Sequence, residues 1–88
     1  MMRIRESVRK FSVLMEKQLS LKDSIKGEKG WKNLSSDYLF SKIMSHRILA
    51  YQAYMEGNKE KSIKHLIHLS NYSMMIVDNL SYIMEVEG

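Results

Sequence analysis

Residues 53–63, Ala53-Tyr54-Met55-Glu56-Gly57-Asn58-Lys59-Glu60-Lys61-Ser62-Ile63, join two long segments of helical periodicity, and their reading decides the fold. Gly57 can take the left-handed conformation that closes one helix, and Asn58 is then placed to cap the next. So short a connection makes the two helices fold back on each other as an antiparallel hairpin.

Working back from this turn, Ser35 reads as an N-cap, Asp37 favours the positive end of the helix dipole, and Leu34 and Leu39 flank the cap as a hydrophobic staple. The spacing predicts a helix over about 36–56 with Leu39, Phe40, Ile43, Ala50, Tyr51 and Tyr54 on its apolar side. Working forward, Ile63, Leu66, Ile67, Ser70, Met74, Val77, Leu80 and Met84 mark the broad apolar face of a helix over about 59–84. At 1.5 Å per residue it would be roughly 40 Å long. The preceding helix cannot cover that length. The surplus, with Leu80, Ile83 and Met84 at its end, calls for the N-terminal helix or a second subunit, so a homo-oligomer, dimer or larger, is expected.

In the N-terminal part, Ile4, Val8, Phe11, Met15 and Leu19 recur at helical spacing, while Arg5, Arg9, Lys10 and Lys17 lie largely off that stripe. A helix is predicted over about 3–22. The polar, Gly-containing loop 23–35 is long for so small a domain, a length more often functional than filler, and its Trp31 reads as a pin onto the core. The expected architecture is all-α: one domain over 1–88 with three helices, assembling into a helical bundle oligomer.

The 88 residues include no cysteine, which removes disulfides, thiolate nucleophiles and zinc-thiolate sites and is compatible with a reducing cytoplasm. No apolar run is long enough to span a membrane and the charged N-terminus precedes no apolar block. A soluble, cytoplasmic protein without a membrane partner is the expectation. Of the 14 Lys and Arg and 10 Asp and Glu, residues 1–33 hold nine and four, so the basic excess is N-terminal. Such an excess attracts phosphates, and a solvated helix face accounts for it equally. No phosphate loop of Walker or Rossmann spacing and no serine-triad signature is present. A helix-turn-helix reading fails because the last helix is too long and too apolar to lie in a groove, so nucleic acid is not an expected partner.

The order FSVLMEKQLSLKD, KGEKGWKNLSSDYLFSKI and AYMEGNKEKSIKHLIHLSNYSMMIVDNL resembles, over nearly the whole chain, a short stand-alone MazG-like nucleoside triphosphate pyrophosphohydrolase. Its most telling pieces are the GW before a capped helix, the EGN turn, and NYSMMIVDN, similar to the family pattern DVANYAMMIADN. The resemblance implies an all-α fold, cleavage between the α and β phosphates of nucleotides, and magnesium held by an ExxE motif on the second helix and an ExxD motif on the third. Small members of this family are common in viruses and mobile elements.

Placing the family pattern LxEEVxEL on Ile43 to Ala50 puts the motif glutamates at His46 and Leu49, and the ExxD pair falls at His65 and His68. All four carboxylates are replaced. Magnesium prefers hard oxygen ligands, which imidazole and leucine cannot supply, so no catalytic residue and no bound metal are expected at these vestigial positions. Trp31, Lys32, Asn71, Tyr72 and Asp78 match the family's surroundings and, with Lys64, are the candidate ligand-binding residues. Three readings stay open: a nucleotide or phosphate sensor, a scaffold or inhibitor with a protein partner, and a hydrolase with an atypical site. The three histidines could also hold zinc, or pack as neutral rings hydrogen-bonded to tyrosines or backbone. Met44, Met55, Met74, Met75 and Met84 read as adaptable core and interface filling.

Overall fold

The computed structural model describes residues 3–23 and 30–81, and its regular structure is helical: α1 (Glu6–Ser20), a 3₁₀ turn (Gly30–Asn33), α2 (Ser36–Met55) and α3 (Lys59–Leu80). Among the described residues there is no strand.

Local chemistry sets the ends of the hairpin. Ser35 Oγ accepts the Tyr38 N–H at 3.1 Å, satisfying a donor that the first turn of α2 leaves over. At the other end Gly57 adopts φ +78°, its N–H donates to Tyr54 O at 3.0 Å, and the Asn58 N–H reaches back to Ala53 O at 2.8 Å. These two reversed bonds are a Schellman closure, which needs a residue comfortable in the left-handed region. Asn58 then caps α3, its Oδ1 accepting from Lys61 N at 3.1 Å. One residue thus ends a helix and the next begins another.

α2 and α3 pack along their length, burying Leu39, Ala50 and Ala53 from one and Ile67 and Ile76 from the other. Near the turn the seam is built of small residues, and Ser62 Oγ donates to Ala50 O at 2.9 Å across it. So short a side chain bonding a facing backbone requires close approach of the helices. α1 lies against α3, where Asn71 Nδ2 donates to Met15 O at 3.2 Å.

Several expectations are corrected here. α1 is shorter at both ends than 3–22, with Arg5 at its N-cap making no side-chain cap bond. α3 stops at Leu80 rather than Met84, because Ser81 turns extended and both its hydroxyl and its N–H bond to Asp78 O, at 3.0 and 3.3 Å. The proposed end contacts of Ile83 and Met84 fall outside the described residues. The apolar stripes are also only partly covered. Phe40, Tyr51, Tyr54, Ile63, Leu66, Val77 and Leu80 are exposed, as are Val8 and Phe11 of α1 and Ile4 before it, while the polar Ser62 and Asn71 are buried. A stripe wider than 100° needs more than one neighbouring helix to cover it, and the hairpin offers each helix one long partner.

Candidate functional site

Midway along the hairpin, His46 of α2 faces His65 and His68 of α3. His46 Nδ1 and His65 Nδ1 are 2.9 Å apart, a hydrogen bond that requires one ring to donate and the other to accept. The His46 ring also stacks on His68 and on Tyr72, with centroids 5.1 and 5.6 Å away. His65, His68 and Tyr72 lie three and four residues apart, so they share one face of α3. His46 is the centre of the group.

The surroundings disfavour protonation of all three imidazoles. Burial lowers the His46 pKa, reinforced by the positive charges of His65, Lys42 and Lys22. Burial acts on His65 with Lys61 and Lys64. For His68, burial together with Lys22, His46, Lys64 and His65 pushes the pKa down to about 4. The Tyr72 hydroxyl is raised, chiefly by burial. At neutral pH the rings are therefore uncharged and surrounded by lysines.

Beside the stack lies a cleft of about 320 Å³ walled by Leu19 of α1, Lys22 and Asp23 after it, Gly30, Trp31 and Leu34 of the turn region, Tyr38 of α2, and Tyr72 and Met75 of α3. It is at the small end of the range for small-molecule sites, ~300–1,000 Å³. Tyr72 belongs to both cleft and stack. The 3₁₀ turn is clasped to the end of α3: Trp31 Nε1 donates to Asp78 Oδ2 at 2.9 Å, Lys32 Nζ reaches Asp78 Oδ2 at 3.1 Å and Asp78 O at 3.2 Å, and Asn79 Nδ2 donates to Trp31 O at 3.0 Å. The clasp fixes one wall of the cleft.

The predicted site residues thus separate into groups. His46, His65, His68 and Tyr72 come together, and Lys64 acts on His65 and His68 through its charge. Trp31, Lys32 and Asp78 form the clasp, with Trp31 also lining the cleft. Asn71 is buried and engaged with Met15, its Oδ1 having no hydrogen-bond partner among the described residues. Leu49, one turn on from His46, is 37% exposed. Three residues were not anticipated: Tyr38, Lys42 and Lys22. The first two had a legible signal, since Tyr38, Lys42 and His46 recur every four residues on one face of α2, and Lys42 Nζ lies 5.5 Å from the Tyr38 ring centre. Lys22 reaches the group only because α1 packs on α3.

The magnesium implied by the resemblance does not fit this donor set, which offers imidazole nitrogen and an aliphatic side chain where hard oxygen is needed. Among the described residues no group of three or more His, Asp or Glu is arranged to hold a metal ion. Among the described residues, no helix is long and apolar enough to cross a membrane. Comparison with protein-family models, curated proteins and solved structures finds no match for this chain.

Proposed function

We propose that the chain is a MazG-like protein that has lost the magnesium-binding carboxylates and acts as a non-catalytic regulatory protein, binding a nucleotide-like anion in the cleft beside the histidine stack. The observation that carries this is the juxtaposition in one small cleft of the Trp31, Tyr38 and Tyr72 rings with Lys22, next to an imidazole cluster surrounded by further lysines. Aromatic faces suit a planar base, and ammonium and imidazole N–H groups suit phosphate oxygens. The electrostatic character is opposite to that of a carboxylate cage for magnesium. The motif order and the hairpin support the family relation, and the four replaced acids support loss of the hydrolase.

Self-association is part of the proposal. The apolar core of the described chain is small, and Val8 and Leu14 of α1 with Phe40, Met44 and Ile48 of α2 are all exposed. A second subunit would cover such faces. Binding is tested by thermal denaturation against a panel of nucleoside triphosphates with and without magnesium. A ligand selective for the folded state raises the midpoint by mass action, by about 2.7 kcal/mol of stability at a hundred times its Kd. The expected result is stabilisation that does not require magnesium and is lost in Lys22→Glu. A flat response across the panel overturns the binding role.

A further inference from the structure

The Nδ1 to Nδ1 contact of His46 and His65, 2.9 Å long, constrains how that pair can hold protons. With both rings neutral, one Nδ1–H donates to the other ring's lone pair. A proton added to Nε2 of the donor ring keeps that bond and makes it charge-assisted. A second proton would set N–H against N–H and break the contact. The pair can therefore take up one proton without losing its geometry.

What opposes that proton is burial first and then positive charge, with no counter-charge acting on the rings among the described residues. The charged groups acting on the three rings are Lys22 after α1, Lys42 from α2, and Lys61 and Lys64 from α3, besides the rings themselves. None is a carboxylate. Tyr72, stacked on His46, is held protonated by burial. Of the described acids near the cleft, Asp78 is engaged by Trp31 and Lys32, and Asp23 shares the cleft wall with Lys22. An anion in the cleft would supply the missing negative charge, because Lys22 both lines the cleft and acts on His46 and His68, and Tyr72 connects cleft and stack.

We infer that oxyanion binding in the cleft is coupled to uptake of one proton from solvent by the His46–His65 pair, so that the anion is held more tightly as the pH falls. This rests on the anion-binding reading and adds its regulation. The coupling is reciprocal: an anion that favours the protonated pair must itself be favoured by protonation.

Sulfate is a suitable probe because it stays a dianion over this range, so any pH dependence belongs to the protein. Calorimetric titration of sulfate into the full chain at pH 7.5, 6.5 and 5.5, in two buffers of different protonation enthalpy, should show saturable binding with uptake approaching about one proton. Affinity should rise by up to about tenfold per pH unit, the limit for one linked proton. The paired substitution His46→Gln and His65→Gln should remove the pH dependence. Saturable binding without pH dependence or proton uptake overturns the coupling and leaves the anion-binding role standing, whereas absence of saturable binding at every pH overturns both. Retention of the full pH dependence in the paired variant overturns the assignment to these two rings. If that variant does not fold, the buffer-dependent heats of the unmodified chain still decide whether a proton is taken up.

Discussion

The Trp31 indole N–H donates to the Asp78 carboxylate at 2.9 Å, joining the 3₁₀ turn to the last turn of α3 across 47 residues of chain. Hydrogen bonds to a charged partner contribute about 1.5–3 kcal/mol. The Lys32 pair to the same carboxylate adds less because the Lys32 side chain is 45% exposed. Asp78→Ala should therefore lower stability by roughly 1.5–3 kcal/mol and shift Trp31 emission to the red. Urea unfolding with a fluorescence readout checks both. Unchanged stability and emission would mean that the clasp does not hold the turn.

The histidine stack makes stability depend on pH in a definite direction. The folded-state pKa of His68 is about 4 against an ordinary 6.5, lowered first by burial and then by Lys22, His46, Lys64 and His65. Between those values the unfolded chain binds more protons than the folded one, so stability from this group is complete above about 6.5 and falls as the pH drops toward about 4. The melting temperature should fall from pH 7 to pH 5, and His68→Gln should flatten that fall. An unchanged slope in the variant would contradict the burial of a neutral His68.

At the hairpin turn the expected cost is one of backbone alone. A Cβ on Gly57 would meet nothing within 4 Å, yet its φ of +78° is strained for an L side chain. Gly57→Ala should cost about 1–2 kcal/mol, and Gly57→Asn less, since asparagine visits this region more readily. Chemical denaturation of the two variants checks the order.

Sedimentation velocity tests the exposed apolar faces. The unmodified chain should associate at micromolar concentration, and Phe40→Asp with Ile48→Asp should weaken association, because burying unpaired charge costs several kcal/mol. A stable monomer at that concentration would contradict the oligomer proposal.

The contrast between what was and was not legible in the sequence follows from range. The Ser35 cap, the Gly57 closure and the Asn58 cap depend on residues within one turn, and each forms where the local pattern puts it. His46, His65 and His68 could be brought together on paper because an antiparallel hairpin with a two-residue turn fixes its own register. The stop of α3 at Leu80 was not legible: it hangs on Ser81 bonding back to Asp78, in a segment whose apolar periodicity continues. Nor was the clasp. Trp31 and Asp78 each matched a pattern, but nothing local pairs residues 47 apart. The apolar stripes are wider than the buried surface, since periodicity reports which residues prefer burial and not whether a neighbour is there to bury them.

The claim that the hairpin has kept the shape of a metal-binding helix pair while losing its ligands is tested most directly by restoring them. If the four positions form one former metal site, the combined variant His46→Glu, Leu49→Glu, His65→Glu and His68→Asp gathers four carboxylates that repel, lowering stability near neutral pH. Calorimetric titration of magnesium into this variant and into the unmodified chain should give saturable heat and a rise in melting temperature for the variant only, since the metal binds the folded form alone. Negligible heat in both proteins, with no magnesium-dependent gain in the variant, would contradict the placement of the four positions and the lost-hydrolase account built on it.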